Sequence, residues 1–239
     1  MSMRSDMESL GYSLREAGGV TLIYRPALSS LWDLARTGDP MGVPAPSLSG
    51  RSTLRIMEPD RVVRTLMHGG VFRHITGKRF VSKGRTMREL EVSAYLASNG
   101  ILIPEILAVR LLRRGLFLSI DVVTRLVPDS TDLLACLGTP REDGLDLIRR
   151  SGSLIRRIHD LGVYHADLHV KNLLLDRGEN LWVLDLDKAY RFAAMPGWLK
   201  DLNVKRFMRS IRKWRAISRI VLPDAWPQAF LEGYCGPSR

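Results

Sequence analysis

Asp167 and Asn172 stand five residues apart in Tyr164-His165-Ala166-Asp167-Leu168-His169-Val170-Lys171-Asn172. Asp185 follows thirteen residues later in Leu184-Asp185-Leu186-Asp187, past one turn and the apolar run Leu181-Trp182-Val183-Leu184. This spacing predicts a loop that presents an Asp and an Asn, then a hairpin that returns a second Asp beside them. Such an arrangement can surround one metal–triphosphate. Phosphoryl transfer needs a carboxylate for the acceptor's proton, oxygen ligands for Mg²⁺ and cations on the phosphates. Mg²⁺ is a hard ion that takes carboxylate, amide oxygen and water. D-x₄-N alone is a weak signal, whereas H-x-D-x₄-N-L-L-L-D followed by a strand and D-x-D is a specific one.

The rest of the chain reads as a strand-rich half followed by a helical one. Residues 1–47 carry mixed signals and end in the loop-like Gly38-Asp39-Pro40-Met41-Gly42-Val43-Pro44-Ala45-Pro46. They are read as an N-terminal extension and linker. Thr53–Ile56, Arg61–Leu66, Ile106–Leu112 and Leu116–Val123 are β-prone runs. Between them, Met87, Leu90, Ala94 and Ala97 predict a helix over 85–98 that stops at Asn99-Gly100. Leu147, Ile148, Leu154, Ile155, Ile158 and Leu161 predict another over 144–161, ended by Gly162. The expected fold class is α+β with two lobes, a β-rich one at 48–127 holding one helix and a mainly helical one at 128–239.

The balance of 36 Lys and Arg against 25 Asp and Glu, a net charge of +11, implies a polyanionic neighbour. Nucleic acid, an anionic membrane face and a phosphorylated substrate all fit that charge, as does a merely solvated surface. Cys136 and Cys235 lie far apart and match neither a metal spacing nor a disulfide framework, which favours a reducing compartment. The first residues, Met1-Ser2-Met3-Arg4-Ser5-Asp6, are charged where a signal peptide needs an apolar core. No apolar run approaches the ~18 residues that cross a bilayer. The expectation is a soluble, cytoplasmic protein able to touch a membrane.

These segments resemble the protein-kinase-like superfamily, and within it the lipopolysaccharide core kinases, most closely the branch acting on 3-deoxy-D-manno-octulosonic acid (Kdo). The resemblance runs over roughly 48–215. It takes in Val62-Val63-Arg64 with Gly69-Gly70, Glu89 with Gly100-Ile101-Leu102-Ile103-Pro104, the Tyr164-His165-Ala166-Asp167 loop, Leu184-Asp185-Leu186-Asp187-Lys188, and Trp198 with Leu202–Lys213. It implies ATP and Mg²⁺ as cofactors, Asp167 as the general base, and Asn172 and Asp185 as metal ligands. Arg64 would stand where most kinases place a phosphate-binding Lys, with Glu89 as its helix partner. An Arg there offers a planar fork, not a point charge. Gly50, in Ser49-Gly50-Arg51, is the one trace of a phosphate loop, because no G-x-G-x-x-G precedes the strands. D-F-G is replaced by Asp185-Leu186-Asp187 and no A-P-E follows, which argues against a regulated activation loop.

Plainer readings stand beside these. Asp176 and Asp187 can serve as turn caps, Asp187 with a metal or substrate role as the sharper option. His165 fits a scaffold residue of the loop, and His159 fits a helix terminator. His68 faces either the acceptor or solvent, and His169 occupies the place of a kinase Lys that reaches the γ-phosphate. The 198–220 segment carries Lys200, Lys205, Arg206, Arg209, Arg212, Lys213, Arg215 and Arg219 against Asp201. Phe207, Ile211, Trp214 and Ile217 form its apolar stripe. It is either a packed basic C-terminal helix or one that docks on the anionic inner leaflet of the bacterial inner membrane, where a lipid-anchored acidic acceptor (Kdo-lipid A) resides. No aromatic-interleaved basic strand of the RNA-binding kind is present, so nucleic acid is not expected. Two rivals remain open: a small atypical kinase acting on a protein or RNA-associated partner, and a catalytically silent pseudokinase module.

Overall fold

The computed structural model describes residues 3–37, 39, 41–44, 54–57, 59–66, 83–114 and 117–236. The chain divides into two compact units: Met1–Arg85 with Pro104–Leu126, and Thr86–Ile103 with Val127–Arg239. The first is built on a sheet and the second is mainly helical, in keeping with the expected α+β fold class; the helix expected inside the β-rich lobe falls, from Thr86 on, in the second unit.

In the first unit a short helix, α1 (Met3–Ser9), precedes the hairpin β1 (Ser13–Ala17) and β2 (Val20–Tyr24). Helix α2 (Leu31–Arg36) and strands β3 (Val43–Pro44), β4 (Leu54–Met57) and β5 (Arg61–Leu66) follow. After α3 (Lys83–Ser98), most of which belongs to the second unit, come β6 (Ile106–Arg114) and β7 (Phe117–Arg125). Among the described residues these strands form one antiparallel sheet in the order β1-β2-β6-β7-β5-β4-β3. The segment before residue 48 therefore supplies a hairpin and a short outer strand of this sheet, where the sequence suggested an extension and linker. Every residue of Val20–Tyr24 is buried, so β2 shows a short continuous apolar run without the alternation of a half-exposed strand.

One face of the sheet packs Leu22, Val63, Ala108, Leu112 and Val123 against Leu31 and Ala35 of α2. Within that face Arg110 and Asp121 stand directly opposite each other on β6 and β7, both almost fully buried. Arg110 donates from Nε to Asp121 at 2.8 Å and from Nη1 to the Asp39 carbonyl at 2.7 Å. The Thr65 hydroxyl donates to the other Asp121 oxygen at 2.6 Å. A buried ion pair survives when its remaining donors and acceptors are met in this way.

After α3, the second unit continues with β8 (Thr131–Asp132) and α4 (Leu133–Cys136), then α5 (Gly144–Asp160). The short strands β9 (Val163–His165), β10 (Leu173–Leu175), β11 (Leu181–Val183) and β12 (Ala189–Arg191) carry the polar loop between them. Helices α6 (Gly197–Ala216) and α7 (Trp226–Cys235) close the chain. Leu147, Ile148, Ile155 and Ile158 of α5 pack with Phe207 and Ile211 of α6 and Phe230 of α7, Phe207 and Phe230 stacking at 5.3 Å. Helices α5 and α7 meet at glycines. A Cβ on Gly152 would overlap the Phe230 carbonyl oxygen, and one on Gly233 would overlap that of Arg149.

The structure corrects two expectations for the C-terminal region. The basic helix is not the last element, because Trp226, Ala229 and Phe230 form a second apolar stripe that seats α7 in the core. Ile217 lies past the end of α6 and is 56% exposed, so the buried stripe is Leu199, Asn203, Phe207 and Ile211. An Asn in its middle hid that register.

Candidate active site

The loop between β9 and β10 begins at His165, whose ring is fully buried. Its Nε2 donates to the Leu184 carbonyl at 2.9 Å, which fixes the tautomer, and its Nδ1 accepts the Asp167 backbone N–H at 3.3 Å. Burial lowers the His165 pKa, so the ring stays neutral and serves as a strut. One side chain thereby ties the strand end before Asp185 to the backbone of Asp167. Asn203 of α6 holds the same residue by its backbone, donating to the His165 carbonyl at 2.9 Å and accepting its N–H at 3.2 Å.

Val170–Asn172 form a 3₁₀ turn after His169. Asn172 is buried, and its Nδ2 donates to the Asp167 carbonyl at 2.8 Å. With the amide nitrogen so engaged, Oδ1 is the side-chain atom left to accept or to ligate. The Leu184 N–H donates to the Asn172 carbonyl at 2.9 Å, which joins the backbone of the 3₁₀ turn to the strand end that delivers Asp185. Asp185 itself adopts the left-handed conformation, with φ of 60° and ψ of 56°. A non-glycine residue held there marks a constrained position at which the chain turns sharply after β11. Asp187, two residues on, is buried in the Leu186–Lys188 turn.

The second unit thus brings Asp167, Asn172 and Asp185 onto one hydrogen-bonded framework. The donor set, an amide oxygen and a carboxylate, suits Mg²⁺, which binds through one or two protein oxygens with phosphates and water completing its shell. Among the described residues, no group of three or more His, Cys, Asp or Glu is placed to hold a metal without such added ligands.

The remaining expected residues are placed as follows by the elements that carry them. Arg64 sits on β5, in register with Leu54 and Val122, in the first unit. Glu89 is buried on α3, in the second. Gly50, His68 and Gly69-Gly70 lie outside the described residues. His169 stands with Nε2 4.0 Å from an Asp167 oxygen, and burial lowers its pKa, which favours the neutral ring. Asp176 closes the β10–β11 turn, accepting the Asn180 N–H at 2.8 Å and the Trp182 indole N–H at 2.8 Å. His159 does not cap the end of α5. Its ring nitrogens bond Tyr234 at 2.7 Å and Asn203 at 3.2 Å, and burial lowers its pKa to about 4.

Two residues were missed by reading the sequence. Asn203 was hidden in an apolar stripe, and Arg206 was counted among the surface charges of α6. Arg206 lies 3.6 Å from an Asp167 carboxylate oxygen. The one local signal for either was a polar residue on the inward side of a helix.

Comparison with known proteins bears on this framework. The model of the lipopolysaccharide kinase (Kdo/WaaP) family matches residues 44–234. The chain is 30% identical to a 3-deoxy-D-manno-octulosonic acid kinase of Vibrio vulnificus (strain YJ016) over 195 residues, covering 79% of this chain and 81% of the relative. It is 31% identical over 175 residues to the enzyme of that name in Vibrio cholerae serotype O1, covering 70% and 73%. A Haemophilus influenzae (strain ATCC 51907 / DSM 11121 / KW20 / Rd) relative with the same name is 29% identical over 163 residues, covering 63% and 65%.

Proposed function

The chain belongs to the lipopolysaccharide kinase (Kdo/WaaP) family and is a phosphotransferase, and from that premise we propose that it phosphorylates a Kdo residue of the lipopolysaccharide inner core with ATP. The observation that carries this reading is the bond from Asn172 Nδ2 to the Asp167 carbonyl, which locks the base and the metal ligand into one unit. Asp167 takes the proton of the sugar hydroxyl. The hydroxyl oxygen attacks the γ-phosphorus in line, a new P–O bond forms, the bond to the β-phosphate oxygen breaks, and ADP leaves. Asn172 and Asp185 would hold Mg²⁺, which would offset negative charge on the phosphates. By the family resemblance, Arg64, Glu89 and Gly50 are assigned to nucleotide binding.

The acceptor is lipid-linked, which calls for proximity to the inner leaflet of the inner membrane. Helix α6 supports a peripheral contact of that kind. No helix of the described residues is long and apolar enough to cross a membrane. Along its length, about 30 Å for twenty residues, α6 exposes Trp198, Leu202, Lys205, Arg209, Arg212 and Lys213 on successive turns. Trp198 is 68% exposed, as suits an aromatic ring at a headgroup interface. Each basic residue near an anionic surface contributes about 1 kcal/mol.

The test is phosphate transfer from labelled ATP to Kdo-lipid A. Asp167→Ala is expected to abolish turnover, by roughly 10²–10⁴-fold, while nucleotide still binds. Near-normal phosphorylation by that variant would sink the assignment, and label entering only a generic protein would favour a protein kinase.

A further inference from the structure

Among the described residues, Arg206 is the one basic side chain of α6 that reaches the carboxylate of the proposed base. Its Nη1 lies 3.6 Å from Asp167 Oδ1, close enough for an ion pair and too far for a good hydrogen bond. Its Nε is buried and has no hydrogen-bond partner among the described residues. A guanidinium carries five N–H donors in a planar fork. Here that fork is held beside Asp167 with its donors unspent among the described residues, and the side chain remains 42% exposed. A buried unmet donor costs stability unless a ligand completes it.

The oxygen atoms of Asp167 mark where the acceptor hydroxyl must sit, since a general base works within hydrogen-bond reach of the proton it takes. A cation beside that carboxylate therefore meets the acceptor within the span of one sugar ring. The acceptor in the function proposed above is a sugar acid, whose carboxylate is planar and accepts two parallel N–H bonds from an Arg fork. We propose that Arg206 binds the carboxylate of the acceptor sugar and so selects an acidic sugar over a neutral one. This rests on the Kdo reading. His169, also beside the Asp167 carboxylate, is favoured in its neutral form and does not compete for the anion.

The experiment measures kcat and KM of the full chain for Kdo-lipid A and for the same acceptor with its Kdo carboxylate methyl-esterified. Wild-type protein, R206Q and R206K are compared, with melting curves to establish that each is folded. Wild-type protein should lose about 10- to 100-fold in kcat/KM on the ester, mainly through KM, as expected for one charge-assisted contact. R206Q should show that loss on the acid already and no further loss on the ester, and R206K should retain part of the discrimination. The proposal falls if R206Q still distinguishes acid from ester as the wild type does, the result expected of a residue that only steadies Asp167. It falls equally if wild-type protein treats the two acceptors alike, or if R206Q raises only the KM for ATP. A wild type inactive on both acceptors would overturn the Kdo reading itself, and the carboxylate contact with it.

Discussion

Asn203 of α6 grips both ends of the His165 residue, its Nδ2 on the carbonyl at 2.9 Å and its Oδ1 on the N–H at 3.2 Å, although 38 positions separate them. His165 in turn bonds Leu184 and Asp167, so one buried amide sets the backbone on which the proposed base and the proposed metal ligand Asp185 are mounted. Asn203→Leu removes this partner from the His165 N–H, the His165 carbonyl and a His159 ring nitrogen. The expected cost is about 1–3 kcal/mol for each group, read as a lower denaturant midpoint. Where the variant folds, kcat should fall more than the affinity for ATP, because the loop is misplaced while the nucleotide contacts remain.

Removing a proposed metal ligand has a distinct signature. Asp185→Asn should lower kcat by roughly 10²–10³-fold, the usual cost of losing an electrostatic stabiliser of the transition state. Its residual activity should need more Mg²⁺, visible as a rightward shift when rate is plotted against Mg²⁺ concentration. An unshifted Mg²⁺ curve would exclude Asp185 as a ligand.

Acid sensitivity follows from His159. Burial holds its pKa at about 4, against an ordinary value of 6.5. Above pH 6.5 both folded and unfolded chains keep the ring neutral. As pH falls from 6.5 towards 4, the unfolded chain gains a proton that the folded one does not, so stability is lost across that window. The full effect is about 3 kcal/mol. Urea midpoints measured between about pH 7.5 and 4.5 should drop less steeply in His159→Gln. A residual slope should persist in that variant, since burial lowers the His165 pKa as well.

The α5–α7 contact leaves no room for a methyl group at Gly233, where an added Cβ would overlap the Arg149 carbonyl oxygen. Gly233→Ala must push the helices apart. A loss of about 1–3 kcal/mol or more is expected, measured as a fall in melting temperature. Gly197→Ala, where a Cβ meets nothing within 4 Å, is the matching control and should leave the melt unchanged.

In the first unit, Asp121→Ala strands the buried Arg110 guanidinium and the Thr65 hydroxyl. Breaking such a pair from one side costs about 3–5 kcal/mol, and a two-state denaturation curve would report it. Replacing both charged partners together, as Arg110→Met with Asp121→Leu, should recover much of that loss.

The sequence by itself determined what is written between near neighbours. The D-x₄-N spacing with Asp185 after one hairpin, the strands around Arg64 and Ile106, and the apolar period of α5 all follow from local turn chemistry and from the 2- and 3.6-residue repeats. Strand β2 eluded that reading because burial on both faces erased its alternation, and α7 because ten residues show too few turns to declare a face. Only the tertiary structure decided that Asn203 supports His165, that His159 bonds Asn203 and Tyr234 rather than ending a helix, and that Arg206 leaves the basic surface to meet Asp167. Those pairings join residues 38 to 75 positions apart, or 39 in the case of Asp167 and Arg206. No short-range pattern encodes them, because they arise from how α5, α6 and α7 pack against the loop.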